Sequence, residues 1–113
     1  MDGRRRDLVA AMIMHAPPLA GASAPDAADR RLWLDVLGRL RVGEECGCGI
    51  CPSFTLELDG RPAPQAGRRH ILVASAGRAL VLLTVEGGVV SGLEVAPSGD
   101  EAVDLPEVTE LTF

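Results

Sequence analysis

Residues 42–54 read VGEECGCGICPSF and mark the point at which the chain changes character. This segment contains all three cysteines, which are separated by glycines and followed by a proline. Before it, apolar side chains recur with the 3.6-residue period of helices, and after it they alternate as in strands. The segment therefore predicts a junction between a helical half and a sheet half.

Toward the N-terminus, residues 3–15 are predicted to form a first helix, with Asp2 as its N-cap. Apolar positions fall on one face, and His15 ends that stripe. Pro17 and Pro18 end the helix, because proline has no N–H and clashes with the preceding turn. The stripe comprises Leu8, Val9, Met12, Ile13 and His15.

A second helix is predicted to begin at Pro25, which suits a first-turn position, with Ser23 or Ala24 before it. It should fray near Gly38. Its apolar stripe places Trp33 as an anchor in the core. The stripe comprises Leu32, Trp33, Val36, Leu37 and Leu40.

Toward the C-terminus, the alternating pattern predicts short strands with short connections. Gly87-Gly88 indicates a tight two-residue hairpin turn. The last segment is acidic and predicts a coil whose last apolar residues can dock on the domain. The expected strands span residues 40–46, 54–58, 70–75, 79–86 and 89–95.

These elements predict one α+β domain over residues 1–113, in which two N-terminal helices pack on a four- to five-stranded, mainly antiparallel meander. The helical part covers residues 1–40, the sheet part 41–96 and the acidic tail 97–113. A small curled barrel with the helices outside is the alternative architecture.

Charge excludes one class of partner. The net charge is −5, and residues 44–113 carry eleven acids against four arginines. Such a surface disfavours nucleic acid. It predicts either a solvated acidic rim or a face that meets a basic protein.

Three cysteines cannot form a complete disulfide framework, so reduced thiols in a cytoplasm are expected. No apolar run approaches the length that spans a bilayer, which predicts no membrane association. An export signal in residues 4–24 is the competing interpretation. Asp7 and the prolines that follow the short apolar run argue against it.

The spacing Cys46-x-Cys48-x-x-Cys51 favours three chemical interpretations. Thiolates are preferred ligands of zinc, cuprous copper and iron–sulfur clusters, and the spacing suits a zinc knuckle. Structural zinc requires four ligands, and His70 is the preferred candidate for the fourth. His15, Glu44 and Glu45 are poorer candidates.

The other two interpretations need no metal. Cys48 and Cys51 form a Cys-x-x-Cys pair followed by Pro52, a spacing at which thiols exchange disulfides when one is acidified. Alternatively, small buried thiols and glycines merely shape a tight inter-strand turn.

Cys46–Glu57 is similar to a Cys-Gly-Cys-Gly-Cys-Pro-Ser/Thr segment, followed by an alternating strand, in a group of small uncharacterised bacterial proteins. Residues 87–95 resemble the hairpin of that group, which ends in a Leu-Glu-hydrophobic strand, and Leu105-Pro106 resembles its tail. Ile50 is an insertion relative to that pattern. The resemblance implies the fold and no activity.

The chain contains no nucleophile elbow, and it lacks the lysine of a phosphate loop. The sequence therefore predicts no catalytic residues. It favours a small non-catalytic protein that acts by contact with another protein, as an accessory or immunity-type partner. Zinc-type metal binding and thiol redox chemistry are the alternatives.

Overall fold

The computed structural model describes residues 1–113 and confirms the α+β fold, with two helices before a mainly antiparallel sheet. The helices are α1 (Gly3–His15) and α2 (Ala27–Asp35), followed by a 3₁₀-helix at Leu37–Arg39. The strands are β1 (Leu40–Glu45), β2 (Phe54–Leu58), β3 (Arg61–Pro62), β4 (Arg69–Ala76), β5 (Ala79–Glu86), β6 (Val89–Pro97) and β7 (Leu111–Thr112). The sheet thus has seven strands, more than the four or five expected, and the additional strands β3 and β7 have two residues each.

Helix α1 has the predicted boundaries. The Asp2 side chain accepts a 2.9 Å hydrogen bond from the backbone N–H of Arg5, which satisfies one free donor of the first turn. The helix ends before Pro17, as its sequence requires. Its apolar face packs against β4 and β5. That face buries Leu8, Val9, Ala11, Met12 and Ile13.

Helix α2 begins later than predicted. Asp26 is its N-cap and forms a reciprocal capping box with Asp29, so Pro25 lies outside the helix. Trp33 is the predicted core anchor and is 2% exposed, but Leu32 is 58% exposed and does not join the apolar face.

Neither helix combines the length and the apolar character that crossing a membrane requires.

The strands do not follow one another simply across the sheet. Their order is β1-β2-β6-β5-β4-β7, with β3 paired to β2. Strands β4, β5 and β6 form the expected meander. The hairpin of β1 and β2 is added at the edge of β6, where Phe54 pairs with Leu93 and Thr55 pairs with Gly92.

The C-terminal tail is irregular over residues 98–107, as expected, but its end is ordered. A 3₁₀-helix at Val108–Glu110 leads into β7, which pairs with the end of β4. Farther along the same edge, Pro18 forms a bridge to Leu72. Two short segments thus cover an edge whose backbone groups would otherwise be free to pair with another chain.

The core lies on one side of the sheet, between the strands and the helices. It is almost entirely aliphatic, because Trp33 and Phe54 are its only aromatic residues. The strands contribute Leu40, Phe54, Leu56, Leu72, Ala74, Ala76, Ala79, Val81, Leu83, Val85, Val90, Leu93 and Val95. The opposite side of the sheet, called the outer face below, has no helix over it.

The turn between β5 and β6 is the two-residue turn predicted at Gly87-Gly88. Both glycines have positive φ, +56° and +80°, as a type I′ turn requires. A Cβ at Gly87 would lie 2.6 Å from Cγ of Pro64 and 2.9 Å from the carbonyl oxygen of Ala66. A Cβ at Gly88 would meet nothing within 4 Å.

These two glycines form a matched pair for a stability measurement. Gly88→Ala should lower the free energy of unfolding by about 1 kcal/mol, because only the left-handed backbone is strained. Gly87→Ala should lower it by about 2–4 kcal/mol, because the steric clash adds to that strain. Urea denaturation of both variants measures the difference, and equal losses would contradict the packing of residues 63–68 on this turn.

Candidate metal centre

The three cysteines lie at the connection between β1 and β2. Cys46 follows β1 directly, and its N–H donates a 2.8 Å hydrogen bond to the carbonyl of Ser53. That bond closes a loop in which Cys48 and Cys51 lie. The segment is therefore an inter-strand loop, as the turn interpretation predicted. The same interpretation is wrong about burial, because Cys46 and Cys48 are exposed and Cys51 is only half-buried.

A β-bulge immediately before the loop determines which way its residues face. The register shifts between Val42 and Glu45, and the N–H of Glu44 donates a 2.8 Å hydrogen bond to Oγ1 of Thr55. Glycine at position 43 leaves room for this contact, because a Cβ would lie 2.9 Å from the same oxygen and would displace the Thr55 side chain. The bulge leaves Glu45 opposite Phe54.

Glu45 is thereby directed toward α1. The guanidinium of Arg5 forms an ion pair with Glu45 and lies over the Phe54 ring, 5.3 Å from its centroid. Arg5 also pairs with Asp2 at 2.6 Å. The carboxylate of Glu45 is therefore occupied by Arg5.

Two contacts with distant parts of the chain hold the loop. Oγ of Ser53 accepts a 2.9 Å hydrogen bond from the N–H of Val95 in β6. The carbonyl of Ile50 accepts a 2.9 Å hydrogen bond from the N–H of Val103 in the tail. The loop is thus anchored at its base by the sheet and between Cys48 and Cys51 by the C-terminal segment.

The sulfur atoms converge. The Sγ atoms of Cys46, Cys48 and Cys51 all lie within 4.8 Å of one another. The closest pair, Cys48 and Cys51, is 3.1 Å apart. Three of the four predicted ligands are therefore brought together.

Hydrogen bonds within the loop lower the pKa of the Cys48 thiol to about 6. The largest contribution is the hydrogen bond with the Cys51 side chain, followed by the backbone N–H of Ile50. The Cys48 N–H lowers the pKa of Cys46, but the side chains of Cys51 and Cys48 outweigh it, and the net shift is upward. Of Cys46 and Cys48, Cys48 therefore forms the thiolate first.

His70 is the predicted ligand that the structure does not bring to the sulfurs. It is 4% exposed, its Nδ1 lies 2.8 Å from the carbonyl oxygen of Ser23, and its ring packs against Trp33 at 5.3 Å. His15, the poorer candidate, packs against Phe113 at the end of α1. His70 is a buried packing residue, His15 is exposed at the helix end, and neither belongs to the cysteine group.

An open groove on the outer face begins at Cys46, and sequence reasoning did not find it. Its volume is about 730 Å³. The outward-facing acids of the strands line it, against a single arginine, Arg69. The alternation of polar and apolar residues in β2, β5 and β6 could have indicated that their acids face outward. It does not indicate which strands are neighbours, and therefore not that these acids lie together. They are Glu44, Glu57, Glu86 and Glu94; Glu45, which pairs with Arg5, also borders the groove.

In comparisons with known proteins, no family model, no curated protein and no solved structure matches this chain. The resemblance to a group of small bacterial proteins remains a prediction. Function must therefore be argued from the cysteine loop and the surfaces around it.

The pKa of Cys48 makes alkylation a direct test of the loop geometry. The rate of Cys48 modification by iodoacetamide should rise with pH around a midpoint near pH 6, because thiolate is the reactive form and predominates above the pKa. Cys51→Ala should move the midpoint upward, because the largest lowering hydrogen bond is lost.

Peptide mapping by mass spectrometry at each pH measures these rates. The same protein in urea is the control and should titrate near the ordinary value of about 8.5. A midpoint that does not differ between folded and unfolded protein would contradict the convergence of the sulfurs.

Proposed function

We propose that this protein binds a thiophilic metal ion through Cys46, Cys48 and Cys51. The observation that carries the proposal is the convergence of the three sulfur atoms within 4.8 Å. A segment that only needed to turn would have no reason to bring three thiols to one point on an exposed loop. Zinc is the ion that the Cys-x-x-Cys spacing predicts.

The separations suit such an ion. A zinc–sulfur bond is about 2.3 Å, so two sulfurs on a tetrahedral ion lie about 3.8 Å apart. The Sγ atoms of Cys48 and Cys51 are 3.1 Å apart, which is shorter than this value. The upper limit for any pair of the three sulfurs is 4.8 Å, which is longer. Small side-chain rotations would therefore complete the site. Exposure of Cys46 and Cys48 provides the entry path.

Thiolate ligands must remain reduced, and we place the protein in the cytoplasm for that reason. Deprotonation is favourable at neutral pH for at least one ligand, because the Cys48 pKa is near 6. Metal binding then releases the protons of the remaining thiols.

Metal loading tests this function. Reduced protein that is loaded with zinc under anaerobic conditions and dialysed should retain about one equivalent by elemental analysis. Cys46→Ser, Cys48→Ser and Cys51→Ser should each weaken binding at least tenfold, roughly the minimum expected for loss of a ligand.

His70→Leu is the matched control. It should lower the free energy of unfolding by about 1 kcal/mol through loss of the hydrogen bond to Ser23, and leave metal binding unchanged. Retention of less than about 0.2 equivalents of any of zinc, copper or iron by the wild-type protein, or full binding by the triple serine variant, would refute the function.

We also propose contact with another protein, and the uncovered outer face supports it. Leu80 is 50% exposed there, and Ile71, Val73 and Leu82 are half-buried beside it. Cross-strand pairing makes this one continuous apolar patch, because Val73 pairs with Leu82. The acidic groove adjoins it, so a partner with basic groups around an apolar centre fits this face.

A second copy of the chain does not fit that face, because it would bring the groove acids of both copies together. Sedimentation velocity at about 100 µM should therefore show a monomer, since like charges that face each other oppose association.

In capture experiments from source-cell extract, Leu80→Glu should lose a partner that Leu32→Glu, on the exposed side of α2, retains. Identical capture by both variants, or a dimer that Leu80→Glu dissociates, would contradict this proposal.

A further inference from the structure

The metal proposed above can be identified more closely from the donor atoms around the loop, and this step rests on that proposed function. We propose that the site holds cuprous copper with three thiolate ligands and passes it on by exchanging ligands with an incoming thiolate.

The donor set is sulfur alone. The three sulfurs lie within 4.8 Å of one another, and no histidine nitrogen or carboxylate oxygen belongs to the same group. All-sulfur sites select soft ions, among which cuprous copper is stable with three ligands, whereas structural zinc requires four. A site limited to three sulfurs therefore fits cuprous copper better than zinc.

A fourth protein ligand is held away by contacts that form part of the fold. Nδ1 of His70 is engaged with Ser23 inside the core, and the His15 ring packs against Phe113. Glu45, the nearest acid in sequence, is held by Arg5. Recruiting the buried His70 would open the core around it. Neither His15 nor Glu44 belongs to the group of side chains that converges with the sulfurs.

The loop also leaves the bound ion accessible to an incoming thiol. Structural metal sites are closed, but here Cys46 and Cys48 are exposed and Cys46 opens onto the groove of the outer face. An incoming thiol can reach the ion from that side. The incoming thiol loses its proton, its thiolate sulfur forms a bond to copper as one cysteine–copper bond breaks, and the cysteine that leaves takes up that proton. Repetition of this exchange at the other two cysteines releases the ion from the loop. Copper remains cuprous throughout, so no oxidant or reductant is needed.

X-ray absorption of the full-length protein loaded anaerobically with one equivalent of Cu(I) tests the coordination. Three sulfur neighbours and no nitrogen are expected, and Cys46→Ser should reduce the sulfur count to two. His15→Ala and His70→Leu are the controls and should leave the spectrum unchanged. A nitrogen neighbour that either histidine variant removes, or four sulfurs accompanied by a copper-bridged dimer, would overturn the proposal.

Competition separates this inference from the function on which it rests. One equivalent of Cu(I) should displace zinc completely from zinc-loaded protein, and the chelator bicinchoninate should withdraw the copper within the mixing time. Zinc that is retained against Cu(I), or copper that leaves only over hours, would overturn the cuprous transfer site while leaving metal binding intact. Failure to bind either ion would overturn the proposed function itself.

Discussion

The fold depends on the burial of one face of the sheet beneath α1. Leu8, Val9, Met12 and Ile13 are fully buried against it, and each such side chain contributes roughly 1.5–3 kcal/mol relative to exposure. Because nearly all core residues are aliphatic, stability must come from close packing of many small contacts. With the inner face closed in this way, the outer face and the strand connections are free to carry function.

The bulge at Gly43 and Glu44 connects this core to the cysteine loop. By adding one residue to β1, it directs Glu45 toward Arg5 on α1 and leaves Cys46 at the groove. Without it, regular pairing onward from Val42 and Leu56 would bring Glu44, not Glu45, opposite Phe54. A single extra residue thus places an ion pair over the core and a thiol on the exposed side.

Sequence reasoning succeeded for several elements whose determining interactions are local, although it missed the local capping box that starts α2 at Ala27. The boundaries of α1, β2 and β5 follow from a cap, a proline and an alternating pattern, and the structure confirms them. The three sulfurs converge within six positions, so their grouping also follows from spacing. Long-range partners were not visible. The alternation of β2 does not reveal its pairing with β6, and no pattern indicates that His70 meets a carbonyl 47 positions away.

The position of the cysteine loop has a consequence for how tightly folding and metal binding are linked. In small zinc domains the ion replaces a core, so binding free energy is folding free energy and the metal cannot leave without unfolding. Here twenty buried residues form a core to which no cysteine belongs. The loop is instead held by hydrogen bonds from Cys46 to Ser53 and from Val103 to Ile50. An ion bound there can depart while the sheet, the helices and the tail remain in place, which is the condition a site of exchange must meet.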